Sequence, residues 1–298
     1  FFVSPVSTMK SFIMTTLLPL SYAFQTGRVF QSVHTRAKVE VRGAMEMRTP
    51  FIAGNWKENP VTLQDATSLA ESLKPLAGSL PCEVGIAVPY PFISAVAGVL
   101  EGTDIQVMAQ SIHFEDSGAF TGAVAATMVE SVGCSYSLAG HSERRSVFGD
   151  SDAVVNSKVK KILETKMGAI LCIGETQGEF EAGLTNEVNA IQLSKGLSGV
   201  SAEDMSRVVI AYEPVWAIGT GLVCPSDTAQ LVHESIRAQL AKLYSSEIAD
   251  SVRIQYGGSV TPDSVDELMS KPDIDGCLVG GASLVAEKFG RIMNFEES

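Results

Sequence analysis

The chain has 298 residues, of which 45% are hydrophobic and 19% charged, and a net charge of −12. Surface grows more slowly than volume as a domain enlarges, so a chain of this length can bury one large core, and one domain of about 250 residues plus an extension is the simplest division. The acidic balance excludes the concentrated basic face that nucleic-acid binding needs, yet it is compatible with a local anion site made from backbone N–H groups, helix N-termini and one lysine.

After Met9 come Lys10 and an apolar stretch, Ser11 to Phe24, which contains Pro19 and is too short to cross a bilayer comfortably. It has the character of a signal-peptide core, with small residues near Ala23 suited to cleavage. From there the chain carries Arg28, Arg36, Lys38, Arg42 and Arg48 against only Glu40 and Glu46, which is transit-peptide chemistry. Residues 1–48 are therefore expected to be a targeting leader and 49–298 the functional domain, with no membrane segment in the mature form. A signal followed by a transit segment resembles the bipartite leaders that address proteins to algal plastids; a secretory signal and a mitochondrial presequence are the alternatives.

From Phe51 onward one theme repeats, a short apolar run ending in glycine or polar residues and followed by an amphipathic stretch. The runs are Phe51–Trp56, Val84–Val88, Ile105–Ala109, Tyr136–Ala139, Ala169–Ile173, Val208–Tyr212, Val252–Tyr256 and Cys277–Val279. They do not alternate, as suits parallel strands covered on both faces. Helical spacing is clearest in Thr228–Tyr244, where Leu231, Ile236, Leu240 and Leu243 recur beneath a polar face, and Pro225-Ser226 and Thr261-Pro262 supply start signals. Eight such units without a linker predict a single α/β domain, a closed (β/α)₈ barrel, in preference to a doubly wound sheet, because closure leaves no edge. No G-x-G-x-x-G follows the first strand. The five cysteines, Cys82, Cys134, Cys172, Cys224 and Cys277, form no C-x-x-C pair and read as small buried thiols in a reducing compartment.

Reactive groups in such barrels collect where strands end, because the βα loops converge there. The first strand ends in Gly54-Asn55-Trp56-Lys57, placing an amide and an ammonium at the rim, although a lysine in that position is more often a solvated charge. The fourth ends in Gly140-His141-Ser142-Glu143-Arg144-Arg145. A helix N-terminus there favours a neutral imidazole able to donate a hydrogen bond to a carbonyl. His34, His113 and His233 fall in the leader, a loop and a helix and read as bystanders. The sixth strand ends in Glu213 and continues through Pro214-Val215-Trp216-Ala217-Ile218-Gly219-Thr220-Gly221, a carboxylate followed by a lid hinged by proline at one end and glycine at the other. An ordinary surface turn has little reason to display Trp216 and Ile218 together. The last two strands end in Tyr256-Gly257-Gly258-Ser259 and Val279-Gly280-Gly281-Ala282-Ser283. Paired glycines let the backbone approach a ligand, and consecutive N–H groups at a helix start can hold a phosphate dianion.

Taken together, and in this order and spacing from about Phe51 to the C-terminus, these motifs resemble the signatures of the triosephosphate isomerase family. The resemblance implies that Glu213 is a general base, that His141 polarises the substrate carbonyl with help from Asn55, and that Lys57 neutralises developing and phosphate charge. It further implies phosphate binding by Gly219, Ser259, Gly280 and Gly281, support from Ser142 and Glu143, and a lid from Pro214 to Thr220. The implied substrate is a triose phosphate in a reaction shared by glycolysis, gluconeogenesis and the Calvin cycle, the implied partner is a second copy of the chain, and no metal or organic cofactor is implied. Two other readings of the barrel are weaker. A Schiff-base aldolase needs a lysine nucleophile inside the barrel, where the sixth strand here presents glutamate, and a non-catalytic phosphate-binding scaffold has little need for Asn55, Lys57, His141 and Glu213 together.

The stretch Ala109-Gln110-Ser111 through Gly118-Ala119-Phe120-Thr121-Gly122 resembles the family's interdigitating dimer loop. Ser111 stands where asparagine is usual, Ala123 replaces a glutamate that meets an arginine, Glu58 occupies an ordinarily apolar position, and Asp150 replaces a glutamate. Arg144 is therefore expected to lack its usual partner, and Glu58 to supply the missing carboxylate, since an unpaired buried charge is costly.

Overall fold

The computed structural model describes residues 48–78 and 80–296. Apart from Arg48, the expected leader lies outside the described residues. Eight strands, β1 (Phe51–Asn55), β2 (Glu83–Val88), β3 (Ile105–Ala109), β4 (Cys134–Ala139), β5 (Gly168–Ile173), β6 (Val208–Tyr212), β7 (Arg253–Tyr256) and β8 (Gly276–Val279), close into a parallel barrel in chain order. Phe51 pairs with Glu83 on one side and Gly276 on the other, which shuts the ring. The crossovers are α1 (Leu63–Leu73), α2 (Ile93–Leu100), α3 (Ala126–Glu130), α4 (Ser142–Ser146), α5 (Asp152–Leu163), α6 (Gln177–Glu181), α7 (Thr185–Gly196), α8 (Ser226–Leu243), α9 (Ser246–Ser251) and α10 (Val265–Met269), and α11 (Ala286–Met293) follows β8. None of the described helices is long and apolar enough to cross a membrane.

The continuous apolar runs divide by strand period into two cores. Phe51, Ala53, Met108, Leu138, Ile170, Val209 and Leu278 fill the barrel, while Ile52, Val84, Ile86, Leu171 and Ile210 pack outward against the helices. Both faces are thus dry, which is why the alternation was missing from the sequence. The helical stripe needs two corrections. In α8 the buried residues are Ser226, Ala229, Val232, His233, Ile236, Arg237 and Leu240, whereas Leu231 and, in the last turn, Leu243 are exposed. Leu231 precedes Ile236 by five positions, which turns it roughly 140° away from the three-and-four spacing that defines the inward face.

Arg48, counted above with the leader's cations, belongs to the barrel's N-terminal end. Its guanidinium reaches Asp275 Oδ1 at 2.5 Å, the Asp250 carbonyl at 2.9 Å and the Pro272 carbonyl at 3.0 Å. Arg237 holds the other oxygen of Asp275 at 2.6 Å and Asp273 at 2.6 Å. All five cysteines are buried and unbridged, and burial pushes the thiols of Cys82, Cys134, Cys224 and Cys277 up to about 12.

Candidate active site

Glu213 continues the β6 ladder by one residue, its N–H donating to the Ile173 carbonyl at 2.8 Å. The side chain is 2% exposed. Oε2 accepts the Ser142 backbone N–H at 2.9 Å, while Oε1 accepts the Ser142 hydroxyl at 3.2 Å and lies 3.0 Å from His141 Nε2. Two glycines make room for it. A Cβ on Gly174 would stand 1.7 Å from the Glu213 carbonyl oxygen, and one on Gly257 would stand 2.9 Å from Glu213 Cγ. The glycine pair after β7 was assigned to ligand approach; in the structure Gly257 packs on the base, and Gly258 accommodates Tyr256 and Pro214.

His141 is the N-cap of α4, and its Nδ1 accepts the Glu143 N–H at 3.2 Å. With Nδ1 occupied as an acceptor, the ring proton sits on Nε2, which therefore donates to Glu213. Glu143 in turn accepts Lys57 Nζ at 2.6 Å. Lys57 has φ +54°, a left-handed conformation that is strained for a side-chain-bearing residue by about 1–3 kcal/mol. Its N–H donates to Asn55 Oδ1 at 3.0 Å and its carbonyl accepts Gln110 Nε2 at 2.7 Å, so the neighbouring loops hold that turn in place. A Cβ on Gly280 would meet Lys57 Cε at 3.5 Å, which puts the β8 glycine pair beside the ammonium.

Within the expected lid, Val215–Ala217 form one 3₁₀ turn with Trp216 and Ala217 buried, while Gly219 and Thr220 are exposed. Positive φ at Gly219 (+68°) and Gly221 (+83°) supports the reading of this end as a hinge. Trp216 sits in a seat that strand-end reading missed. Its indole N–H donates to Glu175 Oε1 at 2.8 Å, and the same carboxylate takes Tyr212 Oη at 3.0 Å and Asn189 Nδ2 at 3.3 Å. Burial beside Glu175 pushes the Tyr212 phenol far up, so it remains a donor. Gly174-Glu175 follows β5 directly, and the strand-end rule applied to that strand finds it.

A family model described as triosephosphate isomerase matches residues 50–296. Proteins called triosephosphate isomerase are 52% identical over 253 residues in Prosthecochloris aestuarii, covering 84% of this chain and 99% of that one, and 49% identical over 249 residues in Clostridium perfringens, covering 84% and 100%. One in Chlorobium phaeovibrioides is 49% identical over 249 residues, covering 83% of this chain and 98% of its own length. The chain belongs to the triosephosphate isomerase family.

Of the residues that the family motifs singled out, Asn55, Lys57, His141, Ser142, Glu143 and Glu213 form one connected line of contacts, and Gly280 lies beside it. Gly219 and Ser259, on loops, and Gly281, which opens a 3₁₀ turn, are exposed at the same end of the barrel. Gln110, read as part of the dimer loop, also braces Lys57 within the protomer. The expected orphaning of Arg144 is corrected. Arg144 Nε and Nη2 each lie 3.2 Å from Asp150, and its guanidinium covers the Phe148 ring at 4.2 Å. Within the protomer, then, the carboxylate comes from Asp150, and Glu58, which is exposed, does not provide it. Lys158 Nζ joins the group, 2.5 Å from Asp150 and 3.1 Å from Ser111 Oγ, so two departures from the family pattern meet at one buried lysine.

Proposed function

We infer that this chain interconverts dihydroxyacetone phosphate and D-glyceraldehyde 3-phosphate through an enediolate. The observation that carries the reading is the 3.0 Å contact between Glu213 Oε1 and His141 Nε2 at the C-terminal mouth of the barrel, a base and a hydrogen-bond donor buried side by side. Glu213 takes a proton from one carbon and returns it to the next. His141 Nε2–H donates to the oxygen on which negative charge develops. Asn55, with Oδ1 engaged by Lys57, keeps its amide N–H groups for the same oxygens, and Lys57, countered by Glu143, adds positive charge. Backbone N–H groups of Gly219, Ser259, Gly280 and Gly281 hold the phosphate, and Ser142 releases Glu213 as substrate arrives.

The lid from Pro214 to Thr220 closes over the enediolate, which would otherwise eliminate phosphate into water. Two copies of the chain pair through the loop spanning residues 110–122. The leader directs the barrel to a plastid, which a fluorescent reporter fused to residues 1–48 tests by its destination in an algal cell. The activity is tested by following production of glyceraldehyde 3-phosphate from dihydroxyacetone phosphate with a coupling enzyme. Glu213→Asp, which retracts the carboxylate by one bond, lowers kcat by about 10²-fold and leaves KM little changed. Near-wild-type turnover in that variant would remove Glu213 from its role.

A further inference from the structure

A ring contact as well as hydrogen bonds holds the lid where it stands. Phe180 of α6 stacks on Trp216 with centroids 4.1 Å apart and planes inclined by 20°. The segment after β5 provides both halves of the tryptophan seat, since Glu175 accepts the indole N–H and Phe180, five residues later, covers the ring face. A reciprocal cap fixes α6: Glu179 Oε2 accepts the Thr176 N–H at 2.8 Å, and Thr176 Oγ1 accepts the Glu179 N–H at 3.4 Å. Phe180 is thus presented by a rigid turn and remains 39% exposed.

At the other end of the same short stretch, Glu213 is parked with both oxygens occupied by Ser142 and His141. Trp216 lies three residues along the chain from Glu213, with Pro214 and Val215 between them. A swing of the carboxylate away from Ser142 and a movement of the hinge therefore involve residues of one short stretch. Trp216 anchors this arrangement through Glu175 and Phe180.

We propose that Phe180 is a positioning residue that holds the lid in its substrate-free position, so that closure over a phosphate ligand has to break the Phe180–Trp216 stack. The proposal rests on the reading of Pro214 to Thr220 as the lid of an isomerase. An aromatic pair of this geometry biases a two-position segment by about 2- to 10-fold beyond the area it covers. Apparent affinity scales with the fraction of molecules already in the binding-competent position, so removing the stack tightens ligands that demand closure.

The test uses the full chain as wild type, Phe180→Leu and Phe180→Tyr, titrated with glycerol 3-phosphate, which carries the phosphate but has no carbonyl to react. The chain has two tryptophans, and only Trp216 lies in the lid, so the part of the ligand-induced emission change that is lost in a Trp216→Phe control is assigned to Trp216. Phe180→Leu is expected to bind about 2- to 10-fold more tightly, with its ligand-free emission shifted toward that of ligand-bound wild type. Its KM for dihydroxyacetone phosphate falls by a similar factor while kcat changes by less than about twofold, and Phe180→Tyr, which keeps the ring, behaves as wild type. Equal or weaker binding by Phe180→Leu overturns the proposal, as does a Phe180→Tyr variant that follows Leu. Wild-type protein that turns over no dihydroxyacetone phosphate would instead remove the isomerase reading, and this inference with it.

Discussion

The base of this site is defined as much by what is missing around it as by the carboxylate itself. Gly174 and Gly257 stand on either side of Glu213, and neither tolerates a side-chain carbon without moving it. A Cβ on Gly257 would meet Glu213 Cγ at 2.9 Å and the Tyr212 carbonyl oxygen at 3.0 Å, whereas one on Gly281 meets nothing within 4 Å. Gly257→Ala is therefore expected to lower kcat by about 10- to 100-fold with little change in KM, because displacing a base by a fraction of an ångström spoils proton transfer more than binding. Gly281→Ala, which retains the backbone N–H, keeps kcat within about threefold of wild type, and any loss appears in KM, because its Cβ would stand in the space the phosphate enters and not against the base. Steady-state kinetics of the two variants decide the matter, and equal losses in both would mean that the β7 glycines are not there for Glu213. The side chains of the site were legible because each directly follows a strand. Gln110 and Glu175 also follow strands, but what they do there did not show in the sequence, because Lys57 and Trp216 are brought to them only by barrel closure.

At the scale of elements, α4, α5 and the loop after β3 are tied together by Asp150. In the family pattern a glutamate stands at this position, so the aspartate shortens the side chain by one methylene. The structure shows why it suffices: the turn between α4 and α5 bonds the Asp150 N–H to the Arg144 carbonyl at 2.9 Å, so the backbones already meet and one methylene fewer is enough. Burial raises the Asp150 carboxyl, but hydrogen bonds from Arg144 and Lys158 outweigh it and hold the group below its ordinary value. A carboxyl depressed in the folded state contributes stability above its unfolded value, near 3.8, and loses it as pH falls through the lower folded value. At neutral pH, Asp150→Ala leaves Lys158 buried without its carboxylate. That variant is expected to lose about 3–5 kcal/mol in urea unfolding, and a loss below about 1 kcal/mol would show the pair to be no more than a surface-type contact. The sequence displayed both departures, Ser111 and Asp150, but their convergence on Lys158 depends on how far α5 advances alongside the loop, which no local pattern encodes.

For the whole molecule, the eight apolar runs announced the barrel because every strand is covered on both faces, and their observed bounds differ from the sequence reading by at most two residues. The shell of helices was less legible, since its inward faces include polar groups that only the assembled barrel makes tolerable. His233 is one of these. It is fully buried in α8 against Tyr212 of β6, at 5.8 Å between centroids and nearly perpendicular, with Nδ1 3.0 Å from the Asp273 carbonyl and Nε2 without a partner. Burial pulls its value down from 6.5 to about 4, so the folded barrel keeps the ring neutral while an unfolded chain protonates it below about 6.5. Protons then favour the unfolded state, and the loss of stability develops as pH falls from about 6.5 toward 4. Between pH 7 and pH 5 this one residue should remove about 2 kcal/mol from the unfolding free energy. Replacing it by leucine is expected to lower stability at both pH values, because the contact with Asp273 goes, but to flatten the slope between them by that amount. Urea titrations of wild type and His233→Leu at the two pH values make the comparison; a variant as pH-sensitive as wild type would place the acid weakness of the barrel elsewhere than at the seam between α8 and the strands.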